Sequence, residues 1–268
     1  MKYYMTTPPG DRIGNITFHN GVNIDNLCDR MNIHKYDRGI TFTNEGILGQ
    51  MFPGRVWLWE VAVPSKEIIY IDPAHPADFK AKKVVLSNRE RITNDVIMRL
   101  IEEGADVNCG GYHLFCKAAS NGDIDLVNYL LSKGIDISFA GPLALSGAAE
   151  GGHADIVRLL LDLGINPDHD YCGALYCASS AGNIDVVKML LEHGANVNPI
   201  GNNPLVWAVK HGHIKTVKML IEHGADPGYH HSWALYEARL NDDNEVAKLL
   251  MSAGADPEDM LCFDSYDY

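Results

Sequence analysis

Histidine is the residue type in this chain best suited to metal or acid–base chemistry. The chain has twelve histidines, and two pairs, His211 with His213 and His230 with His231, are close enough in sequence to suggest shared ligands. Imidazole nitrogens bind zinc and related metals when several ligands converge. A structural role is the simpler interpretation, because several of these rings flank glycines at the ends of predicted helices. There a ring bonds to nearby backbone groups or, as a cation, interacts with the carbonyl end of a helix dipole. We predict no metal site and no cofactor.

Side chains of every catalytic type are present, but none stands in a motif that supports a reaction. The sequence contains no GxSxG nucleophile elbow, no HExxH pair and no GxxxxGK[ST] phosphate loop. Glu60, on a predicted strand, and His75, in a proline-containing loop, are the candidates for an acid–base pair. A strand glutamate is more often a solvated surface residue. We therefore predict no catalytic residue and no enzyme activity.

None of the six cysteines belongs to a CxxC pair or has zinc-ribbon spacing. We expect reduced structural thiols, Cys116, Cys172 and Cys177 among them, with a metal or redox role as the alternative. Reduced thiols are typical of intracellular proteins. The sequence begins without the apolar run of a secretory signal, and no stretch reaches the ~18 to 20 apolar residues of a membrane-spanning helix. We expect an intracellular protein that is neither secreted nor bound to a membrane.

Charge is distributed unevenly along the chain, whose net charge is −13. Residues 1–90 carry 11 basic and 10 acidic side chains, whereas residues 91–268 carry 11 basic and 25 acidic ones, a net of −14. A surface of that sign repels a phosphate backbone, so we exclude nucleic acid as a partner. It attracts a basic patch on another protein.

Glycines recur at a step of thirty residues in the second part of the chain. One series is Gly104, Gly134, Gly164, Gly194, Gly224 and Gly254, and a second is Gly122, Gly152, Gly182 and Gly212, with Asp242 in the fifth place. Between the two series lies a short amphipathic helix, because the apolar residues there recur at i, i+3, i+6 and i+7. Another helix precedes the inner glycine and has a small residue at each step, where paired helices approach closely: Ala118, Ala148, Ala178, Ala208 and Ala238. Each unit is predicted to be two antiparallel helices that become stable by stacking.

The segment NNPLVWAVKHGHIKTVKMLIEHGAD, residues 202–226, resembles the ankyrin repeat. The family pattern is a β-turn, TPLHxA, a helix, a Gly-His step, a second helix ending LLxxGA and a return loop. The resemblance implies an ankyrin solenoid that binds another protein. Because the family period is about 33 residues, the step of thirty residues predicts shortened finger loops.

A narrower resemblance concerns the ankyrin proteins of giant viruses that infect amoebae. The short step and the recurring form L-x-W/C-A-x-x-x-G-H/N are similar to their arrays, and GITFTNEG, WxxEVAVP and FKAKKVVLS, within residues 39–95, follow the order of their N-terminal segment. The resemblance implies that the partner is a host protein and that the chain acts in the host cytoplasm.

The predicted fold is mainly α: an ankyrin-repeat solenoid of about five repeats plus caps, with a small N-terminal α+β or mostly β domain. The small domain, of unknown activity, occupies residues 1–90, with strands at 57–64, 67–72 and 81–87 and a short helix at 24–31. The array occupies residues 91–254, and residues 255–268 form an acidic cap or tail. The repeats are placed at 105–134, 135–164, 165–194, 195–224 and 225–254.

Two sets of side chains are candidates for partner binding. Aromatic and apolar residues recur in or beside successive fingers: Tyr112, Phe139, Tyr171, Ile200 and Tyr229. A second set shares one inner-helix position, which in ankyrin proteins faces the groove: Lys117, Cys177, Trp207 and Glu237. Aromatic side chains on a rigid surface are typical anchors of interfaces. From both sets we predict Tyr112, Phe139, Tyr171, Trp207, Tyr229, Lys117 and Glu237 as the binding residues. The alternative is that these rings cover the fingers and pack against the next repeat.

We predict a protein–protein interaction module whose acidic concave surface binds a partner protein with a basic patch. One alternative is that the N-terminal domain is a small enzyme or modifying module whose substrate the array selects. Another is that both domains serve self-assembly.

Overall fold

The structure is a computed structural model that describes residues 91–104, 107–108, 111–169, 173–201 and 203–259, together with the backbone of nine strands between residues 3 and 91. The chain divides into two compact units. The first consists of Met1–Leu114 with Asn128–Asp136, and the second of Phe115–Val127 with Ile137–Tyr268.

The first unit contains short antiparallel strands. Seven of them form one sheet in the order β4-β9-β6-β1-β5-β8-β7, and β2 pairs with β3. The bounds are β1 Tyr3–Thr7, β2 Arg12–Ile13, β3 Ile16–Thr17, β4 Gly21–Ile24, β5 Ile40–Thr43, β6 Trp57–Ala62, β7 Tyr70–Ile71, β8 Asp78–Ala81 and β9 Lys83–Arg91. The predicted helix at 24–31 does not begin at Ile24, which ends β4, and its other residues, like the loop with His75, lie outside the described residues. The N-terminal domain and the bounds 1–90, 91–254 and 255–268 stay predictions.

The described residues after the last strand form helices. Their bounds are α1 Asn94–Glu102, α2 Gly111–Asn121, α3 Ile124–Ser132, α4 Ile137–Gly151, α5 Ala154–Asp162, α6 Ala174–Ala181, α7 Ile184–Glu192, α8 Pro204–Lys210, α9 Ile214–Glu222, α10 Tyr229–Leu240 and α11 Asn244–Ser252. Each even-numbered helix and the helix after it correspond to one predicted repeat. The mainly helical architecture, with a thirty-residue step, is therefore confirmed.

Within the second unit the helices form two layers. The inner helices α4, α6, α8 and α10 pack side by side in chain order, and the outer helices α5, α7 and α9 do the same behind them. The outer layer buries one leucine in each repeat (Leu160, Leu190, Leu220 and Leu250), and the inner layer buries one alanine (Ala148, Ala178, Ala208 and Ala238), all with no exposed surface. The complete burial of these alanines agrees with the prediction that paired helices approach closely there.

Hydrogen bonds join each repeat of the second unit to the one before it. Nε2 of His213 lies 3.0 Å from the carbonyl oxygen of Ser180, and Nε2 of His153 lies 3.0 Å from that of Ser120. Asn183 occupies the same place between them and donates to Ala149 O at 2.9 Å. The predicted structural role of the Gly-His histidines is thus confirmed, but their bonds reach back to the preceding repeat, since the free carbonyls at that helix end need donors.

Two inner helices depart from the common pattern. α4 begins at Ile137, seven residues before the place that corresponds to the start of α6, and it contains Pro142. The first turn of α10 has three consecutive residues with positive φ, His230, His231 and Ser232. Residues other than glycine rarely adopt that backbone conformation. Here Ser232 is fully buried and its Oγ accepts from Asp256 N at 2.9 Å.

Candidate functional site

Trp207 lies at the centre of a cluster of side chains from α6 and α8. Its ring meets the ring of Tyr176 edge-on, with centroids 5.3 Å apart, and stacks on His211 with centroids 5.6 Å apart. The Lys210 ammonium is 4.7 Å from the centroid of the indole, which is a cation–π distance. Because Trp207 is half-buried, these neighbours hold the indole in place while part of it stays at the surface.

The orientation of His211 is fixed by the helix that carries it. Its Nδ1 lies 3.0 Å from the carbonyl oxygen of Trp207, four residues earlier, and 3.4 Å from Oγ of Ser180. Since a carbonyl oxygen only accepts, Nδ1 carries the proton in this arrangement. Tyr176, Trp207, Lys210 and His211 therefore form one ordered surface, which we call the Trp207 face.

The inner helices are not acidic. Together α2, α4, α6, α8 and α10 carry three cations, Lys117, Lys210 and Arg239, against two carboxylates, Glu150 and Glu237. The excess of acid in residues 91–268 therefore lies outside these helices. The acidic concave surface predicted from the net charge therefore has no source in these helices, and with the turns included it stays a prediction.

A cavity of about 530 Å³ adjoins the Trp207 face. Tyr176 belongs to both, since it contacts Trp207 and lines the cavity. The other lining residues come from two successive turns and the starts of α6 and α8: Pro167, Asp168, Gly173, Leu175, Asn196, Pro199, Ile200, Gly201 and Pro204. The volume lies within the roughly 300–1,000 Å³ of sites that take small ligands or side chains. Ile200 is fully exposed at the rim.

The polar groups beside the cavity are mostly engaged within the protein. Oδ1 of Asp168 accepts from Asn196 N at 2.8 Å. Asn203, at the start of α8 and 2% exposed, accepts through Oδ1 from Leu205 N at 2.9 Å and Val206 N at 3.2 Å. Among the described residues, its buried Nδ2 donor has no hydrogen-bond partner. The walls therefore present mainly apolar surface to whatever enters.

The other predicted binding residues differ in position and exposure. Tyr112 is half-buried on α2 in the first unit. Lys117 is exposed on α2, and Phe139 is 64% exposed in the first turns of α4. Tyr171 lies outside the described residues. Tyr112, Lys117 and Phe139 take no part in the ring contacts of Trp207 described above.

Two predicted binding residues on α10 have partners within the protein. The hydroxyl of Tyr229 accepts from Gly201 N at 3.0 Å, which ties two successive turns together. Glu237 is 8% exposed, and its Oε1 accepts from the indole Nε1 of Trp233 at 3.1 Å. For Tyr229 this contact favours the interpretation that the ring covers the neighbouring finger.

Three residues of the Trp207 face were missed by the sequence analysis. Lys210 and His211 follow Trp207 by three and four residues, the spacing that places side chains on the same side of a helix. This spacing in the sequence predicts that Lys210 and His211 are neighbours of Trp207. Tyr176 precedes Trp207 by 31 residues, one repeat step plus one, and only the packing of α6 on α8 reveals their contact.

Within the described residues, the structure can be compared with the predictions for metal ligands and for cysteine thiols. In the described ranges, no three histidine, cysteine, aspartate or glutamate side chains converge as metal ligands. Cys116 is half-buried, and burial raises the pKa of its thiol to about 11. Its Sγ lies 3.6 Å from Ala140 O. The thiol is therefore protonated and unreactive at neutral pH.

Stacked helix pairs with a constant step, joined by hydrogen bonds between successive repeats, define a helical repeat protein. Residues 139–200 and 198–260 match the family model for ankyrin repeats (3 copies). Residues 139–260 therefore match ankyrin repeats. No curated protein matches the chain, and the resemblance to giant-virus arrays stays a prediction. No described helix combines the length and apolar character needed to cross a membrane.

Proposed function

We propose that this chain is an interaction module that binds a partner protein on the Trp207 face and in the adjoining cavity. Ankyrin repeats are generally protein–protein interaction modules. The observation that carries the choice of surface is the indole of Trp207, half-buried among Tyr176, Lys210 and His211 beside a largely apolar cavity.

An ordered aromatic cluster is an efficient binding surface for a physical reason. A flexible side chain loses roughly 0.5–1.5 kcal/mol of conformational freedom when a partner immobilises it. Trp207 is already restrained on three sides, so little of this cost falls on binding. Tryptophan, tyrosine and arginine dominate the affinity of interfaces when they lie beside pockets that exclude water. Trp207 and Tyr176 are residues of these types, and they contact each other at the cavity that Tyr176 lines.

The resemblance to the ankyrin proteins of giant viruses extends the proposal to the origin of the chain and to the kind of partner it binds. If the chain is a giant-virus protein, the partner is a host protein and binding takes place in the host cytoplasm. Binding is then the role of the array, and we propose no catalytic role for residues 1–90. Ankyrin repeats are typically non-enzymatic, in agreement with this division of labour.

Affinity capture from a eukaryotic lysate, followed by quantitative mass spectrometry, tests the proposal. The baits are the full chain, the Trp207→Ala variant and a Leu163→Ala control. Leu163 is an exposed apolar residue, 46% accessible, that follows the outer helix α5 and lies outside the Trp207 face. We expect a captured protein that Trp207→Ala loses and Leu163→Ala retains.

Thermal unfolding of the three baits separates binding from folding. Trp207→Ala should leave the melting temperature within a few degrees, because the side chain is only partly buried. A partner retained equally by all three baits would place the binding surface elsewhere. Absence of any partner that depends on Trp207, with all three baits folded, would contradict the proposal.

A further inference from the structure

We infer that the partner segment that binds the Trp207 face is acidic, with an apolar side chain that enters the cavity and a carboxylate that pairs with Lys210. The inference rests on the proposed function and adds the chemistry of the partner. It reverses the basic partner that net charge alone predicts.

Lys210 is the reason for expecting a carboxylate. Its side chain is exposed, and among the described residues no carboxylate lies within ion-pair distance of its ammonium. The same position in the neighbouring repeats is held by Ser180 and Leu240, and neither α6 nor α8 contains an aspartate or glutamate. The ammonium lies over the Trp207 ring, which restrains it, so a partner carboxylate meets a positioned cation.

The cavity is the reason for expecting an apolar side chain within a few residues of that carboxylate, because Pro204 in the cavity lining and Lys210 are the first and last residues of α8. Leu175, Pro199, Ile200 and Pro204 supply most of its apolar lining, and Tyr176 connects it to Trp207. A polar side chain placed there would lose hydration without gaining enough partners. An apolar one would lose only unfavourable contact with water.

The overall negative charge does not prevent this pairing. Residues 91–268 carry a net of −14, from 11 basic and 25 acidic side chains, which slows the approach of an acidic segment. At physiological salt, however, charges separated by more than ~8 Å are largely screened. The groups in direct contact then decide. At the Trp207 face the exposed charged side chain is Lys210, whereas the Asp168 carboxylate in the cavity lining already accepts from Asn196 N.

Selection of random linear peptides displayed on phage tests the inference even while the natural partner is unidentified. The full chain is the target, in parallel with Trp207→Ala, Lys210→Glu and Lys215→Glu. Lys215 is exposed on the outer helix α9 of the same repeat, so its variant makes the same change of charge outside the Trp207 face. Lys210→Gln is a milder variant in case the reversed charge disturbs α8.

The expected result is enrichment of peptides in which aspartate or glutamate stands within a few residues of leucine, isoleucine, proline or an aromatic residue. Their affinity should fall about three- to tenfold with Lys210→Glu, less with Lys210→Gln, and stay unchanged with Lys215→Glu. Circular dichroism of each variant confirms that it is folded.

The outcomes separate the inference from the proposed function. Peptides that need Trp207 but are basic or neutral, and that bind Lys210→Glu as well as the unmodified chain, overturn the acidic partner and leave the binding surface standing. Selection of no peptide that depends on Trp207 overturns both.

Discussion

The ring of His213 occupies the space that a side chain at Gly182, in the preceding repeat, would need. A Cβ placed on Gly182 would come within 2.5 Å of His213 Nδ1, while the other nitrogen of the same ring lies 3.0 Å from Ser180 O. The glycine and the histidine therefore form one joint between repeats. Gly122 and His153 repeat this relationship at 2.5 Å. Joints of this kind hold successive inner helices in the register that brings Tyr176 to Trp207.

Gly182→Ala should destabilise the array more than Gly212→Ala. Both glycines have a φ of 73°, so each substitution carries the cost of a left-handed alanine, about 1–2 kcal/mol. Only Gly182 also faces the histidine ring, since a Cβ on Gly212 meets nothing within 4 Å. The added overlap should cost about 1–3 kcal/mol in the free energy of unfolding, measured with denaturant. Equal losses of unfolding free energy for the two variants would show that the His213 ring can move aside without a measurable cost.

His213→Ala should cost more stability than His193→Ala. His213 is half-buried and is the partner of Ser180 O across the repeat boundary. His193 is exposed, and its Nδ1 bonds within its own repeat to Met189 O at 2.8 Å. We expect about 1–3 kcal/mol for His213 and less than about 1 kcal/mol for His193 in equilibrium unfolding. In a His213→Ala background the extra cost of Gly182→Ala should disappear, because the two sites are coupled.

Asn198→Asp should destabilise the array, whereas Asn203→Asp should be neutral or stabilising. Asn198 donates through Nδ2 to Gly224 O at 2.9 Å. In the aspartate variant a carboxylate oxygen would face the carbonyl oxygen of Gly224, and neither atom could donate a hydrogen bond. Asn203 bonds through Oδ1, as the N-cap of α8, and its Nδ2 has no partner in the part of the chain that the structure describes. An aspartate keeps that cap, and the attraction between its charge and the N-terminal end of the α8 dipole should offset the cost of burying the carboxylate. Melting temperatures should separate the variants, with a loss of about 1–3 kcal/mol at Asn198. A larger loss at Asn203 would mean that its amide nitrogen has a partner in solution.

The contribution of Glu102 to stability should disappear in acid. A hydrogen bond from Lys133, with a second from Tyr129 and the attraction of the ammonium, holds the pKa of Glu102 below its ordinary value of 4.5. A carboxyl group with a lowered pKa stabilises the fold above its unfolded pKa and loses this effect as the pH falls through its folded pKa. Lys133→Met should therefore reduce the unfolding free energy at neutral pH and change it less below pH 4.5. A gap between the two proteins that stays constant down to low pH would contradict this role.

The repeat architecture was predictable because the same residue pattern recurs several times along the chain. The thirty-residue step, the glycines at helix ends and the buried alanines from Ala148 to Ala238 each recur, so a single exception such as Asp242 does not hide the pattern. The bonds between repeats were less visible. Histidine next to glycine suggested local bonding, and only the stacking of helices shows that His153 reaches Ser120.

The candidate site was harder to predict because it depends on contacts between different repeats. Trp207 was chosen from its register, and Lys210 and His211 follow from helical spacing, but Tyr176 belongs to another register and meets Trp207 only when α6 packs on α8. Glu237 shares the register of Trp207 and is nevertheless buried against Trp233. Register assigns a position on a helix, whereas exposure depends on the neighbouring side chains.

Photo-crosslinking from the Trp207 face tests the central claim most directly, because the crosslink itself captures whichever partner binds there. A photoreactive phenylalanine analogue is placed at residue 211, which is exposed beside Trp207, and in a second protein at residue 163, which is exposed outside the face. Illumination in a eukaryotic lysate should give a discrete adduct from residue 211 that is absent from residue 163 and is lost when Trp207→Ala is added. Adducts from both positions alike, or an adduct from residue 211 that persists without the indole, would contradict a binding surface centred on Trp207.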